Sequence, residues 1–91
     1  MTELPDSMKR LEERLRTDLE AESVEIDPVE PSTDRFSVTI ISPKFIGMPD
    51  LRRQDLAWEI VDKVCSREES MMVTAIWALA PGEITTYLER L

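Results

Sequence analysis

The side chains that could do acid–base, nucleophilic or metal chemistry are few in this 91-residue chain, which holds no histidine and one cysteine, Cys65. Histidine exchanges protons near neutral pH and, with cysteine, is the usual ligand of soft and borderline metals. Cys65 follows Val61 and Val64 at the end of a helical pattern, with Lys63 as the one base in the preceding turn. That is the setting of a small core residue rather than of an activated thiolate. A lone cysteine also rules out an internal disulfide. Glu68-Glu69 and Asp27/Glu30 are carboxylate pairs in charged, wet segments, not the buried setting of an acid–base pair. Asp27, Glu30 and Asp34 lack the spacing and the glycine of an EF-hand. With no Gly-rich phosphate loop and no nucleophile beside a base, the residues point to a chain that is not an enzyme and carries no cofactor of its own.

Charge narrows the partners. The net charge is −8. Residues 1–34 hold eleven acids and four bases, a net of −7, and residues 35–91 hold eight acids and seven bases, a net of −1. Nucleic acid binding draws its affinity from a basic face, which the first third works against. Lys44, Arg52 and Arg53 are the group that could meet phosphates at a helix N-terminus. The plainer reading puts Arg52 and Arg53 on a solvated helix face, or in pairs with Asp55 and Glu59.

The elements that must position these residues follow from period and punctuation. Met8, Leu11, Leu15 and Leu19 recur at three and four, one apolar stripe on a helix opened by Pro5 and Asp6 or Ser7. Val24 and Ile26 alternate with acids as a short strand, and Asp27–Asp34 reads as a loop with two prolines. Phe36, Val38 and Ile40 alternate in the clearest strand, ended by Ser42-Pro43. Asp50 is placed to cap a helix whose buried stripe is Leu56, Ala57, Ile60, Val61 and Val64, with Arg52 and Arg53 on its wet face and Trp58 at its flank. Ser66–Ser70 is a charged break that can hold a helical turn. Apart from Thr74, Met71–Ala80 is apolar, as a central strand buried on both faces would be, with Trp77 in the core. Ile84, Tyr87, Leu88 and Leu91 predict a short C-terminal helix.

The predicted order is α-β-β-α-β-α in one domain over 1–91. The first two strands form an antiparallel hairpin, and the segment from Ile41 through the helix to Met71 is long enough for a right-handed crossover to a parallel strand. The fold class is α+β: a two-layer sandwich, a three-stranded mixed sheet with helices on one face. No apolar run approaches membrane-spanning length, and the N-terminal residues do not read as a secretory signal, so the expected compartment is the cytoplasm and no membrane partner is expected.

Ser42, Phe45, Gly47 and Arg52 or Arg53, followed by Val73-Thr74-Ala75-Ile76, stand in an order that resembles the BolA-like family. There a strand ends in a serine-containing pair, followed by Phe, one residue, Gly and an arginine-bearing helix. The last strand begins Val-His-Ala-Leu. The resemblance covers about residues 6–91. It implies a KH-like α+β sandwich and a small adaptor that partners monothiol glutaredoxins in iron–sulfur homeostasis and stress-linked regulation. It also implies a partner surface on Lys44, Phe45, Gly47, Arg52, Arg53 and Thr74.

Two departures bear on chemistry. The family histidine that can ligate a [2Fe–2S] cluster shared with the glutaredoxin looks to be Thr74 here, and a hydroxyl is no iron ligand for such a cluster. The family's second ligand, in the hairpin loop, matches Ser32-Thr33-Asp34-Arg35, with neither histidine nor cysteine. A histidine-ligated bridged cluster is therefore excluded, while glutaredoxin binding without one stays open. The KH-like shape raises a nucleic-acid-binding regulator as an alternative, through Lys44, Arg52 and Arg53, although the G-x-x-G clamp of KH domains is absent. A third reading is a divergent protein–protein interaction domain, monomer or weak dimer. Exposed Met71, Met72 or Trp58 would support it. Phe45 and Gly47 also have plain structural roles: a core plug, and a turn with positive φ.

Overall fold

The computed structural model describes residues 4–30 and 34–83. Ser32, Thr33 and the expected C-terminal helix lie outside the described residues.

Helix α1 runs Asp6–Asp18 behind Pro5, whose missing N–H costs nothing at a helix start. Met8, Leu11 and Leu15 are fully buried on one side. On the other, Arg14–Asp18 (2.8 Å) and Arg16–Glu12 (3.4 Å) pair one turn apart, each worth a few tenths of a kcal/mol at about half exposure. Among the described residues no helix is long and apolar enough to cross a membrane.

Strand β1 (Ser23–Pro28) pairs antiparallel with β2 (Phe36–Ile41), Val24 opposite Ile40 and Ile26 opposite Val38. Asp27 and Pro28 thus belong to the strand and not to the loop the two prolines predict. Pro28 is tolerated because β1 is an edge strand, where a missing ladder donor is least costly. The connection after Ile41 passes a 3-10 turn (Pro43–Phe45), helix α2 (Asp50–Val64) and one-turn α3 (Arg67–Ser70) to β3 (Val73–Leu79), which pairs parallel to β2. Helix α2 opens behind Pro49, and the Asp50 side chain makes no cap hydrogen bond, contrary to its expected role. Serine does cap α3: Ser66 Oγ accepts from Glu69 N–H at 3.2 Å and the Glu69 carboxylate accepts from Ser66 N–H at 2.8 Å.

The strand order is β1-β2-β3. The middle strand is therefore β2, and β3 is an edge, a correction to the reading of Met71–Ala80 as central. Its inward residues Val73, Ile76 and Ala78 join Val24, Ile26, Phe36, Val38 and Ile40 under the helices. Its outward residues face away from the helices, and Trp77 is 54% exposed rather than core. Two layers result, a three-stranded mixed sheet with helices on one face, and the core lies between them.

Candidate partner surface

The segment after β2 is built around the end of α1. Ser42, fully buried, donates its hydroxyl to Leu19 C=O at 2.5 Å and accepts from Lys44 N–H at 3.1 Å. Lys44 Nζ donates to Asp18 C=O at 3.1 Å and lies 3.8 Å from the Glu20 carboxylate. Helix ends leave carbonyls without intrahelical donors, and these two side chains supply them. Phe45 is fully buried beneath the turn. Gly47 has φ +74° with nothing within 4 Å of where a Cβ would stand, so its glycine serves backbone conformation rather than space. Both structural roles read for Phe45 and Gly47 hold.

Arg53 departs from its expected place on the wet face: it is 9% exposed. Its Nε donates to Met48 C=O (2.8 Å) and its Nη1 to Ala78 C=O (3.0 Å). Nη1 and Nη2 grip the Glu83 carboxylate at 2.6 and 3.0 Å. The guanidinium stands 5.7 Å from the centre of the Phe45 ring. The Glu83 carboxylate also accepts from Ala80 N–H at 2.7 Å. The hydrogen bonds from Arg53 and then from the Ala80 amide hold the Glu83 carboxyl down at about 2. The same pairing raises the Arg53 pKa against the opposing pull of burial.

Gln54 completes the arrangement. Trp58 Nε1–H donates to Gln54 Oε1 at 3.2 Å, which turns the amide nitrogen toward Ile76 C=O at 2.8 Å. Consecutive residues of α2 thus hold two alternate carbonyls, Ile76 and Ala78, on the outer edge of β3. Neither Gln54 nor Glu83 stands out in the sequence. One signal was present: Arg53 lies four residues before Ala57 and seven before Ile60, on the buried line of the helix.

Thr74 lies exposed at the start of β3, in an irregularity of the pairing. Phe36 pairs with Val73 and Ser37 with Ala75, so Thr74 is the extra residue of a bulge. The bulge re-aims the strand: Val73 is inward, Thr74 and Ala75 are not, and Ile76 is inward again. Among the described residues no three His, Cys, Asp or Glu side chains gather where a metal could sit. Cys65 is buried at the end of α2, and burial, then the nearby Glu69 carboxylate, push its thiol pKa up, away from thiolate chemistry.

Lys44, Arg52 and Arg53 do not form one exposed basic patch. Lys44 bonds the end of α1 while staying exposed, Arg52 is exposed on α2, and Arg53 is buried against Glu83. Asp55 and Glu59 are not the partners of Arg53.

No protein-family model matches the sequence, and no curated protein does. Solved structures do match. BolA1 from Arabidopsis thaliana superposes with a TM-score of 0.71 over 87% of this chain and 96% of that one, at 23% identity. BolA1 from Mus musculus superposes at 0.70 over 97% of this chain and 76% of that one, at 21% identity. The fold is BolA-like. The BolA domain of SufE1 from Arabidopsis thaliana superposes at 0.69 over 89% of this chain and 99% of that one, at 22% identity. The likeness spans the layers described above and agrees with the family resemblance of the Ser42–Arg53 segment.

Proposed function

We propose that this BolA-like chain is a small non-enzymatic adaptor that binds a monothiol glutaredoxin without contributing a ligand to its cluster, in iron–sulfur homeostasis and stress-linked regulation in the cytoplasm. The observation that carries the reading is the BolA-like fold over nearly the whole chain with Thr74, not histidine, at the start of β3. Docking falls at that end of the sheet, where Thr74 is exposed beside Ser37 and Ala75. The buried Phe45 and Arg53 lie at the other end of the sheet, beside Ala78 and the turn after β3, and hold the fold rather than touching the partner. Gel filtration of the chain with a monothiol glutaredoxin from the same source, apo and cluster-loaded, tests the reading. A one-to-one complex is expected, and separate elution in both states would contradict it.

The second reading, a divergent protein-interaction domain with another partner, draws support from Met71, 72% exposed at the end of α3, and from Trp77. The nucleic-acid reading has no comparable support, since two of its three cations are engaged within the fold.

A further inference from the structure

We infer that the helix-free face of the sheet is a docking surface for a basic polypeptide segment with two cations about 10 Å apart and an apolar residue between them. The inference goes beyond the glutaredoxin reading and stands whether or not that partner binds. Charge is segregated between the two layers. No lysine or arginine occurs in β1, β2 or β3, and the charged residues of the three strands are Glu25 and Asp27, both exposed on β1. The described bases all lie on helices or in loops, and the loop-end Arg35 is already engaged. The open face is thus acidic along one edge and aromatic along the other.

The register places these groups in one row. Glu25 pairs with Thr39, and Thr39 pairs with Trp77. Two strand spacings separate Glu25 from Trp77, roughly 9–10 Å. A polyproline-II segment rises about 3.1 Å per residue and repeats every three residues, so two bases three residues apart lie on one side of it and span this row. One stacks on the exposed indole of Trp77 and the other meets Glu25 or, one row along, Asp27. Thr39 supplies a hydroxyl between them, Ser37 does so one row along beside Asp27, and Leu79, two residues beyond Trp77 on β3, offers an apolar neighbour at the Trp77 end of the row. A second copy of this chain does not fit the face. An isologous contact would offer Glu25 and Asp27 no base, since none of the three strands carries one.

The test uses the full chain, nitrogen-15 labelled, and a capped ten-residue peptide with two arginines three residues apart and a leucine between. Shift changes centred on Glu25, Thr39 and the Trp77 indole are expected. Binding should weaken at least tenfold in Trp77→Ala and in Glu25→Lys/Asp27→Lys, exposed sites whose amide dispersion reports an intact fold. A peptide of the same composition with adjacent arginines should bind several-fold more weakly. Equal binding of both peptides, shifts centred on the acids of α1, or indifference to both variants would reduce the effect to net charge and overturn the inference. Concentration-dependent shifts at Trp77 without peptide would make the occupant a second copy and overturn it equally.

Discussion

Arg53 and Glu83, thirty residues apart in sequence, meet in a two-pronged ion pair at 2.6 and 3.0 Å. The pair ties the first turn of α2 to the turn that follows β3. The remaining donors of Arg53 hold Met48 C=O before the helix and Ala78 C=O on the strand edge. One guanidinium therefore fixes three segments around Phe45.

Replacing Arg53 with leucine is expected to cost about 2–4 kcal/mol, because two backbone carbonyls and a carboxylate lose their donors together. Glu83→Gln should cost about 1 kcal/mol or less, since the Glu83 side chain is 42% exposed and solvent screens the loss. Urea unfolding of the two variants checks the ranking. Equal costs would mean that the carbonyl contacts contribute little.

The same pair sets an acid response. The folded Glu83 pKa, about 2, lies below its ordinary 4.5. A depressed carboxylate pKa gives stability that is present above the unfolded value and lost as pH falls from about 4.5 toward 2. The melting temperature of the wild type should therefore fall through this window more steeply than that of Glu83→Gln, measured by circular dichroism in steps of pH.

Ser42→Ala should destabilise by about 1–3 kcal/mol, because the fully buried hydroxyl serves Leu19 C=O and Lys44 N–H at once. Lys44→Ala, whose side chain is 45% exposed, should cost only about 0.5 kcal/mol. Thermal unfolding distinguishes the two, and a larger loss for Lys44 would contradict the account of how α1 ends.

Gly47→Ala should cost about 1 kcal/mol although a methyl group has open space there, because φ +74° is strained for an L side chain. Phe45→Ala, at a fully buried ring, should cost about 3–5 kcal/mol. Denaturant midpoints measure both. A neutral Gly47→Ala would place the requirement elsewhere in the turn.

Much of the architecture is legible in the residues. Period two in Phe36–Ile41, period three-four in Met8–Leu19 and the length between Ile41 and Met71 suffice for the hairpin, the helix and the parallel return. The place of β3 in the sheet is not. Ala75, Trp77 and Leu79 are apolar on the open face, so the segment carries no polar alternation to mark one side as wet. Arg52 and Arg53 are neighbours of one type, and only the helical line through Ala57 and Ile60 separates the exposed one from the buried one. Glu83 stands after Pro81-Gly82 like any turn residue, and its partner is fixed by the tertiary fold alone. The bulge at Thr74 has no sequence mark, since it exists only against the register of β2.

The central claim is a BolA-like adaptor that engages a monothiol glutaredoxin without ligating its cluster. The most direct test is anaerobic reconstitution of the glutaredoxin cluster in the presence of this chain, wild type and Thr74→His, recording stoichiometry and visible circular dichroism. The account predicts a complex for both. The wild-type spectrum should be that of a cluster with no ligand from this chain, unaltered by Cys65→Ser, and a new spectrum should appear for Thr74→His at the exposed bulge. A glutaredoxin cluster that leaves the wild-type chain free would contradict the claim, as would a wild-type spectrum that changes when Cys65 is replaced.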